Sequence, residues 1–245
     1  MVTASIVLYN ENLRIIKKTI DSFLNTSVEK KLYLIDNSSN NKLESYFKHP
    51  EIEYIFVGKN IGFGKAHNLV LDKISSKFHL ILNPDVEFKP DVIPSLISVF
   101  KNALNVSFIT PKIIYPNKEL QYICRKHPTF FDLVNRKLKI SKNNLFENEY
   151  RNQNFNKPFY PDFIHGCFMF FKTEDFKNLN GFDERYFLYM EDADLCRKID
   201  ETGKKKLYCP SLEVVHYHQK GSSKSIKLFL YHLSSAIKYF LKWGF

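Results

Sequence analysis

"FHLILNPDVEF", residues 78–88, is the stretch on which the fold turns. Its first half is apolar, and too short between its neighbouring polar residues for a helix, so it reads as a buried strand over 78–83. It then runs straight into Asn83-Pro84-Asp85. Working outward, "TASIVLY" (3–9), "KLYLID" (31–36), "EYIFVG" (53–58) and "VSFIT" (106–110) read as strands of the same kind. Between them lie amphipathic stretches. One runs over 12–24 with Leu13, Ile16, Ile20, Phe23 and Leu24 on one face, one over 64–75, and one from Pro90, at an N1-type position, to about Asn102. Short apolar strands alternating with helices predict an α/β fold, a Rossmann-like, mostly parallel sheet with helices on both faces. Such sheets bind ligands beyond the carboxyl ends of their strands. The polar motifs sit there: "DNSSN" after the second strand, "KNIGFGKAHN" after the third, "NPDVEF" after the fourth.

The second half reads differently. Residues 125–160 are rich in Asn, Lys and aromatics without a clean period, which predicts a mobile segment with one short helix, a substrate-facing lid. Order resumes with a strand over 163–171 and a helix from Thr173. A helix over 190–203 ends at Gly203, a C-cap signal. A strand over 206–210, a loop through "EVVHYHQKGSS" and a long helix from Ser225 complete the chain.

Composition bounds the function. With 44% hydrophobic and 16% aromatic residues the chain has ample material for a core, which excludes a disordered tail. No apolar run approaches the roughly 18 residues of a membrane span, and the N-terminus lacks a signal peptide's pattern. Cys124, Cys167, Cys196 and Cys209 show no CxxC or zinc-finger spacing, which predicts buried free thiols in a cytosolic protein. Thirty-six Lys and Arg against 26 Asp and Glu give +10, suited to anionic partners: nucleic acid, anionic lipid or phosphorylated small molecules. Carboxylates at the strand ends, rather than basic and aromatic residues interleaved on one face, argue against nucleic acid.

Each motif has a structural and a chemical reading. Gly62-Phe63-Gly64 before a helix has the look of a dinucleotide fingerprint, but His67 stands where the third glycine belongs, and the motif follows the third strand. That disfavours hydride transfer and leaves a tight turn, a close nucleotide approach, or both. Asp36-Asn37 is either a turn or a contact to base or ribose. Asp85 is a turn former or a ligand for Mg²⁺ or Mn²⁺, ions that take one or two carboxylates plus phosphate oxygens. His216 and His218, two apart, point to opposite faces if extended, so one of them faces the site, and a mixed His/carboxylate/diphosphate set suits Mn²⁺ or Mg²⁺ better than zinc. In "YFLYMEDADLCRK" (186–198), Glu191 and Asp194 share a helical face while Asp192 points elsewhere. Helix capping accounts for one or two of these acids. The aromatic wall before them suits a carboxylate poised to accept a proton.

In order and spacing, "SIVLYNE", "LIDNSSN", "NIGFGKAHN", "LNPDV" and the run from Gly166 to Ser223 resemble bacterial family 2 glycosyltransferases. The likeness is to the rhamnosyltransferase-like branch that builds surface polysaccharides. Gly181-Phe182-Asp183-Glu184 followed by Phe187, Glu191, Asp192 and Asp194 is the most specific part. The resemblance covers nearly the whole chain except about 115–160 and the last turns. It implies a GT-A fold, a nucleotide-diphospho-sugar donor, a divalent cation (Mg²⁺ or Mn²⁺) and inversion at the anomeric carbon. Carried over, Asp36 meets the base with Asn37 beside it, and Asn60, Gly62, Gly64 and Asn68 line the nucleotide. Tyr9, Asn10, Asn83 and Gly166 complete the donor site, Asp85 holds metal and diphosphate, and His216 is a further ligand. Asp192 is the general base, with Glu191 the alternative. Asn83 stands where the family's DxD motif usually has its first acid, which removes one ligand.

The branch further implies dTDP-L-rhamnose as donor, with UDP-sugars the alternatives, and a glycan or polyprenyl-diphosphate-linked acceptor at the inner face of the cytoplasmic membrane. A nucleotidyltransferase would share fold and metal, but "YNENLR" carries no phosphate-gripping loop. The expected organisation is a transferase domain over 1–224, with a nucleotide-sugar half (1–110) and an acceptor half (111–224), and an amphipathic helix over 225–245. On that helix Ile226, Phe229, Leu230, Leu233, Ile237, Phe240 and Leu241 form one stripe beside Lys224, Lys227, Lys238 and Lys242. Most of such a stripe packs on its own domain, while the last two turns, "IKYFLKWGF", suit a lipid headgroup boundary.

Overall fold

The computed structural model describes residues 1–138, 141–217 and 226–244. Strands β1 (Val2–Leu8), β2 (Lys30–Asp36), β3 (Ile52–Phe56) and β4 (Phe78–Leu82) are parallel, with β1 between β2 and β4 and β3 outside β2. Their side chains alternate between two cores, as the period of a strand requires. Ala4, Ile6, Leu8, Leu32 and Leu34 pack with Ile16, Ile20 and Phe23 of helix α1 (Leu13–Leu24). Val7, Tyr33 and Ile35 face the other way, onto Ala66, Val70 and Ile74 around helix α2 (Phe63–Asn68). The helix expected over 64–75 stops at Asn68 and continues as a tighter turn over Leu71–Lys73. The apolar spacing survives, because Ala66, Val70 and Ile74 are buried together.

Beyond β4 the sheet turns mixed. Its order is β3-β2-β1-β4, then the strands Phe168–Lys172 (β9), Val106–Ile114 (β6), Lys205–His216 (β10) and Val86–Phe88 (β5). β9 runs antiparallel between β4 and β6, and β10 runs parallel to β6. The expected halves 1–110 and 111–224 therefore share one sheet. The strand expected over 163–171 divides at His165-Gly166-Cys167: β8 (Phe163–Ile164) leaves to pair with β7 (Cys124–Arg125). β10 continues six residues past Pro210, where the sequence suggested a loop. It has a partner, β5 (Val86–Phe88), whose Val86 stands opposite His216. Pairing beyond an irregularity between Cys209 and Glu213 carries the strand on, and no local pattern signals that.

Residues 125–160 hold two helices rather than one, α4 (Phe130–Leu138) and α5 (Lys142–Asn148). Amides take the place of an apolar period: Asp132 Oδ1 accepts from Asn144 Nδ2 (3.0 Å) and Asn148 Nδ2 (2.6 Å), and Asn135 Nδ2 donates to Ser141 O (2.9 Å). Helix α3 (Val92–Asn102) begins two residues after Pro90, and α6 (Thr173–Asn178), α7 (Glu191–Glu201) and α8 (Ile226–Trp243) follow. All four cysteines are buried free thiols.

Helix α8 reverses the expected arrangement. Its buried residues are Ser235, Ala236, Tyr239 and Phe240, so the last turns dock on the protein. Ile226 (82% exposed), Phe229, Leu230, Leu233, Ile237 and Leu241 (75%) face outward, leaving Phe240 as the one member of the stripe that packs inward. The last turn is drawn in by polar contacts, with Lys242 and Trp243 both bonded to Asp194. His218, Lys224 and the expected boundary at 224/225 lie outside the described residues. Among the described residues no helix is long and apolar enough to cross a membrane.

Candidate active site

The carboxyl ends of β1–β4, β6 and β10 and the start of β9 share one edge of the sheet, since Leu82 pairs with Phe168 and β9 runs antiparallel to both its neighbours. Asn83 and Asp85 leave β4 there, His216 closes β10, and Gly166 precedes β9. Helix α1 pins the turn: Thr19 Oγ1 donates to Pro84 O (2.7 Å) and accepts from Val86 N (3.1 Å). Asp85 Oδ1 then lies 3.2 Å from His216 Nε2, with Asn83 Nδ2 at 3.5 Å from the same nitrogen. Gln121 fixes the imidazole, its Oε1 at 2.9 Å from Nδ1 and its Nε2 donating to His216 O (2.7 Å). Burial works against a charged His216, but the Cys167 sulfur and the Asp85 carboxylate outweigh it and hold the pKa up at about 10.

Glu11, from the turn after β1, faces this corner. Burial, and then the charge of Asp85, push its carboxyl up to about 7. Among the described residues no three His, Cys, Asp or Glu side chains converge as a complete metal cage. The Asp85 carboxylate fits Mg²⁺ or Mn²⁺ that takes its other ligands from a diphosphate and water, and His216 would join that set only by giving up the proton it shares with Asp85.

The nucleotide-side motifs are largely engaged with one another. Asp36 is fully buried, accepting from Ser38 N (2.9 Å) and from the Tyr54 hydroxyl. Asn37 Nδ2 donates to Gly62 O (3.0 Å), and Asn60 Oδ1 accepts from Gly62 N (3.0 Å). Gly62 has φ +93°, and a Cβ there would collide with Phe187 O, while a Cβ on Gly64 would meet that of Phe182 at 2.7 Å. The close approach these glycines permit is thus to the chain's own 182–187 segment. Asn68 clamps the same segment, donating to Phe182 O (2.8 Å) and accepting from Phe182 N (2.9 Å). Tyr9 stays exposed beside Asn10, whose N donates to Ser38 Oγ (2.9 Å).

That segment leads into the acids. Tyr189 and Met190 both have left-handed φ (71° and 68°), a conformation that costs a non-glycine residue roughly 1–2 kcal/mol. The turn aims α7 so that Glu191 and Asp194 point inward, both buried, and Asp192 toward the sheet edge. Burial, and then the charge of Asp192, raise the Glu191 carboxyl well above the usual range, and its Oε2 has no hydrogen-bond partner. Glu191 is therefore the enclosed acid and Asp192 the reachable one, its side chain 16% exposed. Asp192 Oδ2 accepts from Gly166 N (3.0 Å), Oδ1 from Ala193 N (2.9 Å), and His165 Nδ1 stands 3.7 Å from Oδ2. Gly166 lies against this acid, its missing Cβ leaving only 3.3 Å to the Cβ of Asp192.

Three residues escaped the sequence reading. Glu11 was legible in principle, as the acid of "YNE" at a strand's carboxyl end, and His165 as the neighbour of Gly166. Gln121 had no signal, since it meets His216 across 95 residues.

A sheet of this topology, ending on one carboxylate–imidazole corner and one acidic turn, is a GT-A-like glycosyltransferase fold. It resembles GalNAc-T7 solved with UDP, GalNAc and Mn²⁺ (TM-score 0.66, 16% identity, 90% of this chain and 44% of that one). It also resembles a Pyrobaculum calidifontis mannosyltransferase solved with GDP-Man and Mn²⁺ (TM-score 0.63, 17% identity, 97% and 64%). The profile of glycosyl transferase family 2 matches residues 3–179, and the chain belongs to that family; it is a glycosyltransferase. A second profile, the N-terminal domain of galactosyltransferase, matches residues 150–220. Among relatives, the rhamnosyltransferase WbbL of Escherichia coli K12 is 28% identical over 241 residues, 91% of this chain and 87% of its own. An N-acetylglucosaminyl-diphospho-decaprenol L-rhamnosyltransferase of Mycobacterium tuberculosis is 25% identical over 206 residues, 78% of this chain and 67% of its own.

Proposed function

We propose that this chain is an inverting rhamnosyltransferase, moving L-rhamnose from dTDP-L-rhamnose onto a polyprenyl-diphosphate-linked saccharide in bacterial surface polysaccharide synthesis. The observation that carries the reading is the different placing of two acids on one turn: Glu191 buried with no partner for its Oε2, Asp192 open to the sheet edge and held by two backbone N–H groups. Asp192 takes the proton of the acceptor hydroxyl as that oxygen attacks the anomeric carbon from the face opposite the leaving diphosphate. Asp85 and His216 hold the diphosphate end of the donor; a divalent cation bound there supplies charge neutralisation for the leaving group. Asp36 and Asn37 keep the nucleotide loop in shape, through Tyr54 and Gly62.

The sugar and the acceptor rest on the relatives, both named as rhamnosyltransferases and one for a decaprenyl-diphosphate substrate. The outward apolar face of α8 suits the interface of a cytoplasmic membrane, where such an acceptor is presented. The test is transfer from dTDP-L-rhamnose to a synthetic polyprenyl-diphospho-N-acetylglucosamine, with dTDP and UDP as competing ligands. Rhamnosyl product inhibited by dTDP is expected; binding of UDP alone would move the donor to the UDP-sugars.

A further inference from the structure

Asp194 stands two residues beyond Asp192 and is fully buried. Its Oδ1 accepts from Trp243 Nε1 (2.8 Å) and Tyr186 OH (3.2 Å) and pairs with Lys242 Nζ (2.7 Å). A carboxylate taken out of water persists only with a cation and hydrogen bonds to replace its hydration. Lys198, one turn along the same helix, adds its field to Asp194 without pairing with it directly; its ammonium donates to the carbonyls of Leu179 (2.5 Å) and Gly181 (2.8 Å). The direct ion pair comes from the last turn of α8.

Helix α8 also grips the other side of the acids. Ser235 Oγ donates to Leu188 O (2.9 Å), the Tyr231 ring lies 4.5 Å from Phe187, and His232 lies 5.3 Å from Tyr189. These contacts brace the left-handed pair Tyr189-Met190, a conformation that holds only where its surroundings enforce it. Asp192 itself has two backbone donors and no covalent brace beyond its own helix.

We infer that the C-terminal helix is the positioning element of the catalytic turn: Lys242 and Trp243, through Asp194, set the direction in which Asp192 points. The inference rests on Asp192 being the base. Trp243 acts through Asp194; Lys242 acts through Asp194 and also pairs with Asp183 Oδ2 (3.0 Å), an acid that keeps Arg185 as a second partner at 2.6 Å. Displacing a reacting group by about 1 Å costs on the order of 100-fold in rate, whereas the diphosphate corner is built from strand ends and Gln121. Loss of the contact therefore falls on kcat and spares the donor KM.

The experiment uses the full chain as wild type, Lys242→Met, the double variant Lys242→Met/Asp194→Asn, and Asp192→Asn. Lys242→Met is expected to lose about tenfold or more in kcat with donor KM within about twofold. Adding Asp194→Asn returns kcat to within about threefold of wild type, because a neutral amide needs no cation. The emission of Trp243, the chain's one tryptophan, moves in the single variant and returns in the double. A wild-type kcat in Lys242→Met, a loss that merely tracks the unfolded fraction in a thermal melt, a double variant no better than the single, or emission indifferent to both substitutions overturns the inference. Activity retained by Asp192→Asn marks failure of the base assignment instead, which an inactive Asp192→Asn beside a fully active Lys242→Met does not.

Discussion

The corner at Asp85 and the turn at Asp192 each present one carboxylate to the sheet edge, and they are held in opposite ways. Asp85 hangs from the end of a central strand, flanked by ladders and fastened to α1 through Thr19. Its position follows from the sheet. Asp192 follows a strained turn and meets the sheet edge through Gly166 N, and two helices distant in sequence brace the residues around it: α2 and its cap hold Phe182 and Phe187, and α8 holds Leu188 and Asp194. A metal–diphosphate site gains from rigidity that a sheet supplies cheaply. In the proposed mechanism the base at Asp192 must meet an acceptor that arrives separately, and it sits where the chain's packing can be adjusted.

The sharpest way to break this contrast is Asp192→Asn. It should cut turnover by about 10³-fold or more while nucleotide affinity stays within a few-fold, since the amide keeps the shape and loses the basicity. Rates from stopped transfer assays and nucleotide binding by calorimetry check both halves; near-normal turnover would hand the role to another group.

At the sheet corner, Asp85→Asn is expected to cost on the order of 100-fold and to weaken donor binding as well, unlike the change at Asp192. EDTA should suppress wild-type activity and Mn²⁺ or Mg²⁺ restore it. Full activity after exhaustive chelation would leave Asp85 and His216 acting on the diphosphate by hydrogen bonds and charge alone.

The two sides of α8 extend the contrast to the protein's surface. Replacing Leu230, Leu233 and Ile237 together by Ser should weaken co-sedimentation with anionic vesicles by roughly 100-fold, at about 1 kcal/mol or more for each apolar side chain withdrawn from the interface. Turnover of a water-soluble acceptor should not change, because these side chains face away from Asp194. Binding that survives the triple substitution, or activity that falls with it, would contradict that separation.

The smallest effect is thermal. Glu11 has a folded-state pKa of about 7 against an ordinary value of 4.5, raised by burial and then by Asp85. Between these values the folded state holds more protons than the unfolded one, so stability falls as pH rises from about 4.5 to about 7 and levels off above. Discounted for the solvent that screens a partly exposed group, the loss is about 1 kcal/mol, or roughly 2–4 °C of Tm. Glu11→Gln should flatten that slope in a melting series, and Mn²⁺ bound at Asp85 should do the same by drawing the Glu11 pKa down. A slope indifferent to both would detach Glu11 from the corner.

The sequence by itself determined the α/β alternation, the polar motifs at the strands' carboxyl ends, and the split of Glu191 and Asp194 from Asp192. Each of these follows from a period of 2 or 3.6 residues or from adjacency along the chain, and those are local properties. Tertiary structure alone decided the rest. β10 reaches His216 because β5 pairs with it, and β9 enters antiparallel between β4 and β6. Glu191 has its pKa raised because the fold buries it beside Asp192. The stripe of α8 names an apolar face, yet the face that packs is the one carrying Ser235, Ala236 and Tyr239, because Asp194 waits on that side for Lys242 and Trp243. Periodicity says which residues can share a face; which face is covered depends on partners that lie tens of residues away along the chain.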